Sequence, residues 1–166
     1  MTGPDVTDER RDGRDPAGND LPSAVLFACT MNAIRSPMAA AILGYLGGHR
    51  LYVASAGVRA GAPDGFAVAV MNEIGIDMSA HQPHTLDELN DTSFDLIVSL
   101  SPEAHHQALE LTRTMAVDVE YWATFDPSLM NGEGRREDIL EHYRRVREQL
   151  FAKIKARFRL DGGPTV

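Results

Sequence analysis

The chain has 166 residues, 43% of them hydrophobic, and a formal net charge of −8 at neutral pH. That is enough apolar material for one globular domain with a buried core, and the acidic balance excludes nonspecific nucleic-acid binding, which needs basic surface. No apolar run approaches the roughly 20 residues that span a bilayer, and no apolar leader-like segment opens the chain, so neither a membrane nor a nucleic acid is an expected partner.

A single cysteine, Cys29, cannot form an internal disulfide. The chain is therefore expected to be cytoplasmic, in a reducing compartment. Residues 1–20 hold six acids (Asp5, Asp8, Glu9, Asp12, Asp15, Asp20) against three arginines (Arg10, Arg11, Arg14), a net of −3, with almost no large apolar residue. They read as a disordered N-terminal tail. Residues 21–160 read as the folded domain and residues 161–166 as a short C-terminal tail, with no internal repeat.

In chain order, Ala24–Ala28 (AVLFA) is a continuous apolar run, the pattern of a strand covered on both faces. A helix follows in SPMAAAILGYLGG, with Ser36 as candidate cap, Pro37 in the first turn and Gly47-Gly48 as the stop. LYVASAG predicts a second strand ending at Gly57. PDGFAVAVMNEIG predicts a helix from Pro63 closed by Gly75, and a short helix is expected near Thr85–Asn90. FDLIVSL is the clearest strand, and SPEAHHQALELTRT opens another helix at Ser-Pro. AVDVEYW alternates, as an edge strand does, and a long amphipathic helix runs from about Arg136 to Arg157 with Ile139, Tyr143, Val146, Leu150 and Ile154 on its buried stripe. Strands alternating with helices imply a parallel sheet with helices on both faces, and such sheets carry their sites beyond the carboxyl ends of the strands. Cys29 stands at that end of the first strand.

The turn after Cys29 has the spacing C-x5-R, with Thr30, Met31, Asn32, Ala33 and Ile34 before Arg35 and Ser36. A short strand-to-helix turn can curl so that successive backbone N–H groups form an anion nest, reinforced by the helix dipole. Asn32 is the residue there most tolerant of a left-handed backbone. Arg35 can clamp two oxygens of a tetrahedral oxyanion, and Ser36 can donate to sulfur. Both the positive surroundings and that hydrogen bond favour a thiolate. The opposing reading is a structural thiol buried at a strand end beside an unrelated arginine. The apolar strand before the turn, Ser-Pro and a helix after it, and the lack of any charged residue inside it favour the functional reading. Phosphoryl transfer to sulfur also needs an acid for the leaving oxygen and a base for water. Asp126, in FDPS after the last strand, falls at the same sheet edge, and Pro127 biases it toward an extended conformation. His81, His84 and the His105-His106 pair lack the cysteines and spacing of a metal site and read as surface or packing residues.

Taken together, CTMNAIRSPMA, SAG at Ser55–Gly57, GIDMSAH at Gly75–His81, FDLIVSL and Asp126-Pro127 resemble, in order and spacing, the low-molecular-weight protein tyrosine phosphatase superfamily, which includes an arsenate reductase branch. The resemblance spans about Val25 to Phe158. It implies a flavodoxin-like three-layer α/β fold with a four-stranded parallel sheet, Cys29 as nucleophile, Arg35 as phosphate clamp and Asp126 as general acid and base. It further implies a phosphate site at residues 30–36, shaped by Asn32 and supported by Ser36, with no metal or organic cofactor. The implied partners are a phosphorylated protein or small phosphomonoester, with phosphate, sulfate or arsenate as the loop's oxyanion.

Several positions depart from the pattern. Met31 stands where family members commonly have glycine, and Ile34 where many carry a second cysteine, so an oxidised Cys29 needs an external thiol. Ala33 replaces a larger apolar residue, and no tyrosine follows Asp126-Pro127; Tyr121, Trp122 and Phe125 are the candidates for an aromatic wall. The segment from Tyr121 to Leu150 resembles the reductase branch, whose multi-cysteine relay cannot run on one thiol. Three functions follow: a phosphatase acting on phosphomonoesters such as protein phosphotyrosine, an arsenate reductase borrowing a small-molecule thiol, or a non-catalytic phosphate-binding module.

Overall fold

The computed structural model describes residues 21–47, 50–89, 93–132 and 134–160. The expected tails at 1–20 and 161–166 lie outside the described residues. The elements are β1 (Ala24–Cys29), α1 (Arg35–Gly47), β2 (Tyr52–Gly57), α2 (Gly65–Asn72), β3 (Leu96–Ser99), α3 (Pro102–Leu111), β4 (Asp118–Tyr121) and α4 (Arg136–Arg157). Two 3-10 turns, Leu86–Glu88 and Pro127–Met130, interrupt the connections.

The four strands form one parallel sheet in the order β2-β1-β3-β4, a flavodoxin-like α/β fold. β1 is central, with Val25 beside Val53 on one side and Leu96 on the other. Its buried run divides by the two-residue period of a strand. Val25, Phe27 and Cys29 face a core closed by α1, α2 and α4, while Leu26 and Ala28 face a smaller one under α3. The chain leaves β1 for one face of the sheet and β3 for the other. The crevice this opens at their carboxyl ends is where Cys29 ends its strand. β4 lies at an edge, as its alternation predicts. The predicted stripe of α4 is buried at all five positions.

Three expected boundaries shift. α2 begins at Gly65 rather than Pro63, because the Asp64 side chain takes the cap by accepting from Ala67 N at 3.0 Å. The segment near Thr85 is only a 3-10 turn, closed by a reciprocal bond between Thr85 and Glu88. Ser36 does not cap α1; the helix already includes Arg35, and the Ser36 hydroxyl is engaged elsewhere. The helix α4 is locked to α2 by Arg144 and Arg147, which both reach Glu73, at 2.7 and 2.8 Å. Arg144, chiefly, holds the Glu73 carboxyl down to about 2. Among the described residues no helix is long and apolar enough to cross a membrane.

Candidate active site

The turn from Cys29 to Arg35 is held from outside by its carbonyls. Those of Cys29, Thr30 and Met31 accept from Val58 N (3.1 Å), Arg59 N (2.8 Å) and Gly61 N (2.9 Å). The Asn32 carbonyl meets His81 Nε2 at 2.8 Å, and that of Ile34 accepts from Met38 N at 3.0 Å. In a trans peptide the next N–H points opposite to each carbonyl. The N–H groups of Thr30, Met31, Asn32, Ala33 and Arg35 are thus turned away from those partners.

Asn32 makes the curl feasible. It is fully buried with φ of +54°, a left-handed conformation that Asn tolerates better than most residues. Its side chain is completely used: Nδ2 donates to Ser36 Oγ (2.9 Å) and Ser55 Oγ (3.0 Å), and Oδ1 accepts from His84 N (3.0 Å). Gly57 lies directly beneath. A Cβ there would stand 2.8 Å from Asn32 N and 2.5 Å from the Arg59 carbonyl, so only glycine lets β2 run this close to the turn.

Cys29 is 2% exposed at the base of the turn. Its sulfur is 3.0 Å from Ser36 Oγ and 3.4 Å from Ser36 N. The Ser36 oxygen accepts from Asn32 Nδ2, and its hydroxyl has two acceptors in reach, Cys29 Sγ and, at 3.4 Å, the Ala56 carbonyl. The Ser36 amide donates to Sγ, and the hydroxyl lies within hydrogen-bond distance of it. Thr30 Oγ1 donates to Ser101 Oγ at 2.9 Å, bridging the ends of β1 and β3 across the crevice. Ser101 also caps α3 by accepting from Ala104 N, as predicted for that Ser-Pro.

Arg35 is 8% exposed; NH1 donates to the Thr124 carbonyl at 3.1 Å and NH2 lies 3.9 Å from Asp126 Oδ2. The other nearby guanidinium, Arg59, is spent on Glu103 through two 3.1 Å bonds, which hold the Glu103 carboxyl below its usual range. Asp126 opens the 3-10 turn Pro127–Met130 in an extended conformation, the one its proline favours. Its Oδ1 accepts from Ser128 N (3.0 Å) and Ser128 Oγ (2.7 Å). That leaves Oδ2 as the oxygen directed at Arg35. The structure therefore brings together Cys29, Arg35, Ser36 and Asp126 at one sheet edge.

Met31 needs no left-handed backbone in the turn. Its backbone φ is not positive and its side chain, 39% exposed, lies over Gly61, where an added Cβ would meet Met31 Cβ at 3.1 Å. The position usually given to glycine is thus accommodated by a glycine on the facing loop. Ala33 is half-buried and Ile34 is in the core. Of the three aromatic candidates, Trp122 packs edge-on against Phe27 (6.0 Å) and Tyr121 stacks on His105 (4.7 Å), while Phe125 is half-exposed next to Asp126. Sequence reasoning gave Ser55 and Thr124 no role and read His81 and His84 as surface or packing residues, yet all four hold the turn or its arginine. The GIDMSAH motif ends at His81 but does not indicate what its ring touches. Among the described residues no group of His, Cys, Asp and Glu converges as metal ligands.

The profile of a family described as low molecular weight phosphotyrosine protein phosphatase matches residues 24–159. An arsenate reductase of Shouchella clausii is 34% identical over 133 residues, covering 79% of this chain and 91% of its own. A solved low molecular weight protein tyrosine phosphatase from T. tengcongensis superposes with a TM-score of 0.65 at 28% identity, over 80% of this chain and 95% of its own. An arsenate reductase solved in a phosphate binding state superposes with a TM-score of 0.63 at 26% identity, over 84% of this chain and 99% of its own. With the sheet, the Cys29–Arg35 turn and Asp126 all inside the matched span, the chain belongs to the low molecular weight phosphotyrosine protein phosphatase family.

Proposed function

We propose that the protein hydrolyses phosphomonoesters, aryl phosphates such as phosphotyrosine first among them, through a phosphocysteine on Cys29. The observation that carries this reading is the placement of Asp126 Oδ2 3.9 Å from Arg35 NH2, at the end of the turn that begins at Cys29 and whose carbonyls are bonded to its outside. A phosphoryl group seated there is held by the turn's N–H groups and the Arg35 fork. Sulfur attacks phosphorus in line, forming the S–P bond as the ester P–O bond breaks. Asp126, protonated, gives its proton to the departing oxygen. In the second step the Asp126 carboxylate takes a proton from water, whose oxygen attacks phosphorus, and the S–P bond breaks to release inorganic phosphate. The departing sulfur receives the Ser36 hydroxyl and amide protons as hydrogen bonds. Phe125, half-exposed and next to Asp126 in the chain, is the aromatic side chain proposed to meet an aryl leaving group. The related arsenate reductase solved in a phosphate binding state supports oxyanion binding by this chain.

The test is turnover of an aryl phosphate in the presence of a chelator. The reading expects hydrolysis by the wild type, none by Cys29→Ser, and a fall of about 10²- to 10⁴-fold in Asp126→Ala.

A second reading is favoured by the 34% identical arsenate reductase. Cys29 would attack arsenate with loss of water, and an external thiol would then attack its sulfur. Arsenite leaves with two electrons and a mixed disulfide remains, which a second thiol reduces. Arsenite formation with a small-molecule thiol, without phosphate-ester turnover, selects this reading.

A further inference from the structure

Tyr143 is fully buried in the middle of α4, its ring packed on Phe66 at a centroid distance of 5.4 Å. The ring alone accounts for the core. The hydroxyl does something else, since a buried phenol must find polar partners. It has two acceptors in reach, Asp64 Oδ2 at 2.9 Å and Asn131 Oδ1 at 3.3 Å. Asp64 is anchored on its own account, as the cap of α2. Asn131 ends the 3-10 turn that Asp126 begins, with Asn131 N bonded to the Ser128 carbonyl at 3.1 Å. Ser128 in turn holds Asp126 Oδ1 through both its N–H and its hydroxyl. Among the described residues, the Tyr143–Asn131 contact is the one hydrogen bond tying this turn to a helix. Within the turn Pro127 is buried, Ser128 and Met130 are half-buried and Leu129 is 71% exposed.

We propose that Tyr143 is a positioning residue for the general acid: through Asn131 it fixes the turn that aims Asp126 Oδ2 over the Cys29 site. The proposal rests on the phosphatase reading above. Burial first, and then the Asp64 and Asp126 carboxylates, push the Tyr143 phenol well above its ordinary value, so it stays neutral and keeps its proton over the working pH range. The device thus sets geometry and does not itself titrate. A carboxyl displaced by a fraction of an ångström from its productive position loses much of its effect.

The test uses leaving-group dependence, because only an ester with a poor leaving group needs a well-placed acid. Tyr143→Phe removes one oxygen and keeps the ring; Asn131→Ala, at an exposed position, cuts the same tether from the other end. kcat/KM, which reports steps up to departure of the phenol, is compared for phenyl phosphate and p-nitrophenyl phosphate. The expected result is a loss of about tenfold for phenyl phosphate and a clearly smaller loss for the nitrophenyl ester in both variants. Inhibition by inorganic phosphate should stay unchanged. In an Asp126→Ala background, Tyr143→Phe should add nothing. Equal losses for both esters, weakened phosphate inhibition, or an additive loss in the Asp126→Ala background would overturn the proposal while leaving the phosphatase reading intact. Hydrolysis that survives Cys29→Ser, or no hydrolysis of either ester by the wild type, would overturn both.

Discussion

Asn32 Nδ2 donates to Ser36 Oγ across 2.9 Å, which leaves the Ser36 proton to Cys29 Sγ or to the Ala56 carbonyl at 3.4 Å. With its oxygen already accepting, the hydroxyl can turn its hydrogen toward Cys29 Sγ at 3.0 Å. The residue with the one left-handed backbone in the turn thereby also holds the hydroxyl that lies beside Cys29 Sγ.

Ser36→Ala removes that donor and leaves a buried Asn32 N–H without a partner. A hydrogen bond to a charged group is worth roughly 1.5–3 kcal/mol, so phosphocysteine breakdown, where sulfur leaves, should slow by about 10- to 100-fold. Pre-steady-state kinetics check this: release of phenol should show a burst, with phosphorylated enzyme accumulating. The variant should also melt at a lower temperature.

Gly57→Ala places a methyl group 2.5 Å from one backbone atom and 2.8 Å from another, neither of which can rotate away. Overpacking of this kind costs about 1–3 kcal/mol. Because the clash falls on the Asn32 amide, the variant should lose the stabilisation that inorganic phosphate gives the wild type, besides its own drop in melting temperature. Thermal melts with and without phosphate measure both.

Phe125→Ala should discriminate between classes of substrate. Deleting an aromatic partner costs roughly 0.5–1.5 kcal/mol, so kcat/KM for an aryl phosphate should fall about two- to tenfold. An alkyl phosphate should be affected much less. Equal effects on both would remove Phe125 from the aryl wall.

The Glu73 link between α2 and α4 gives stability a defined pH dependence. Arg144 and then Arg147 hold its folded carboxyl at about 2, against an ordinary value of 4.5. Its contribution is present above pH 4.5 and is lost as the pH falls from there through about 2. Glu73→Gln should therefore melt below the wild type at neutral pH, with the gap closing across that acid window and shrinking in high salt. A gap independent of pH would contradict the assignment.

Much of this arrangement was readable in the sequence, and its failures have physical causes. The continuous apolar runs of β1 and β3 announced strands covered on both faces, and that placed Cys29 and Thr30 at the crevice. The two Ser-Pro pairs show the limit. Ser101 caps its helix as the dipeptide predicts, whereas Ser36, with the same neighbour, is drawn inside α1 because Cys29 and Asn32 claim its hydroxyl. Local sequence cannot distinguish these cases, since the deciding partners come from the turn's own curl. Ser55, His81, His84 and Asn131 were invisible as site residues for a related reason. Their contacts join chain segments that only the tertiary fold brings together. Tyr143 was legible as a core residue from its helical spacing, but the bond of its hydroxyl to Asp64, 79 positions earlier, was not.

The proposed hydrolysis turns on a covalent bond between sulfur 29 and phosphorus. Enzyme mixed with an aryl phosphate, quenched in acid within a turnover and digested for mass spectrometry, should carry a phosphoryl group on the peptide containing Cys29, at a level that rises in Ser36→Ala. Sustained hydrolysis with that peptide unmodified throughout, or a phosphoryl group on another residue while Cys29→Ser still turns over, would contradict it.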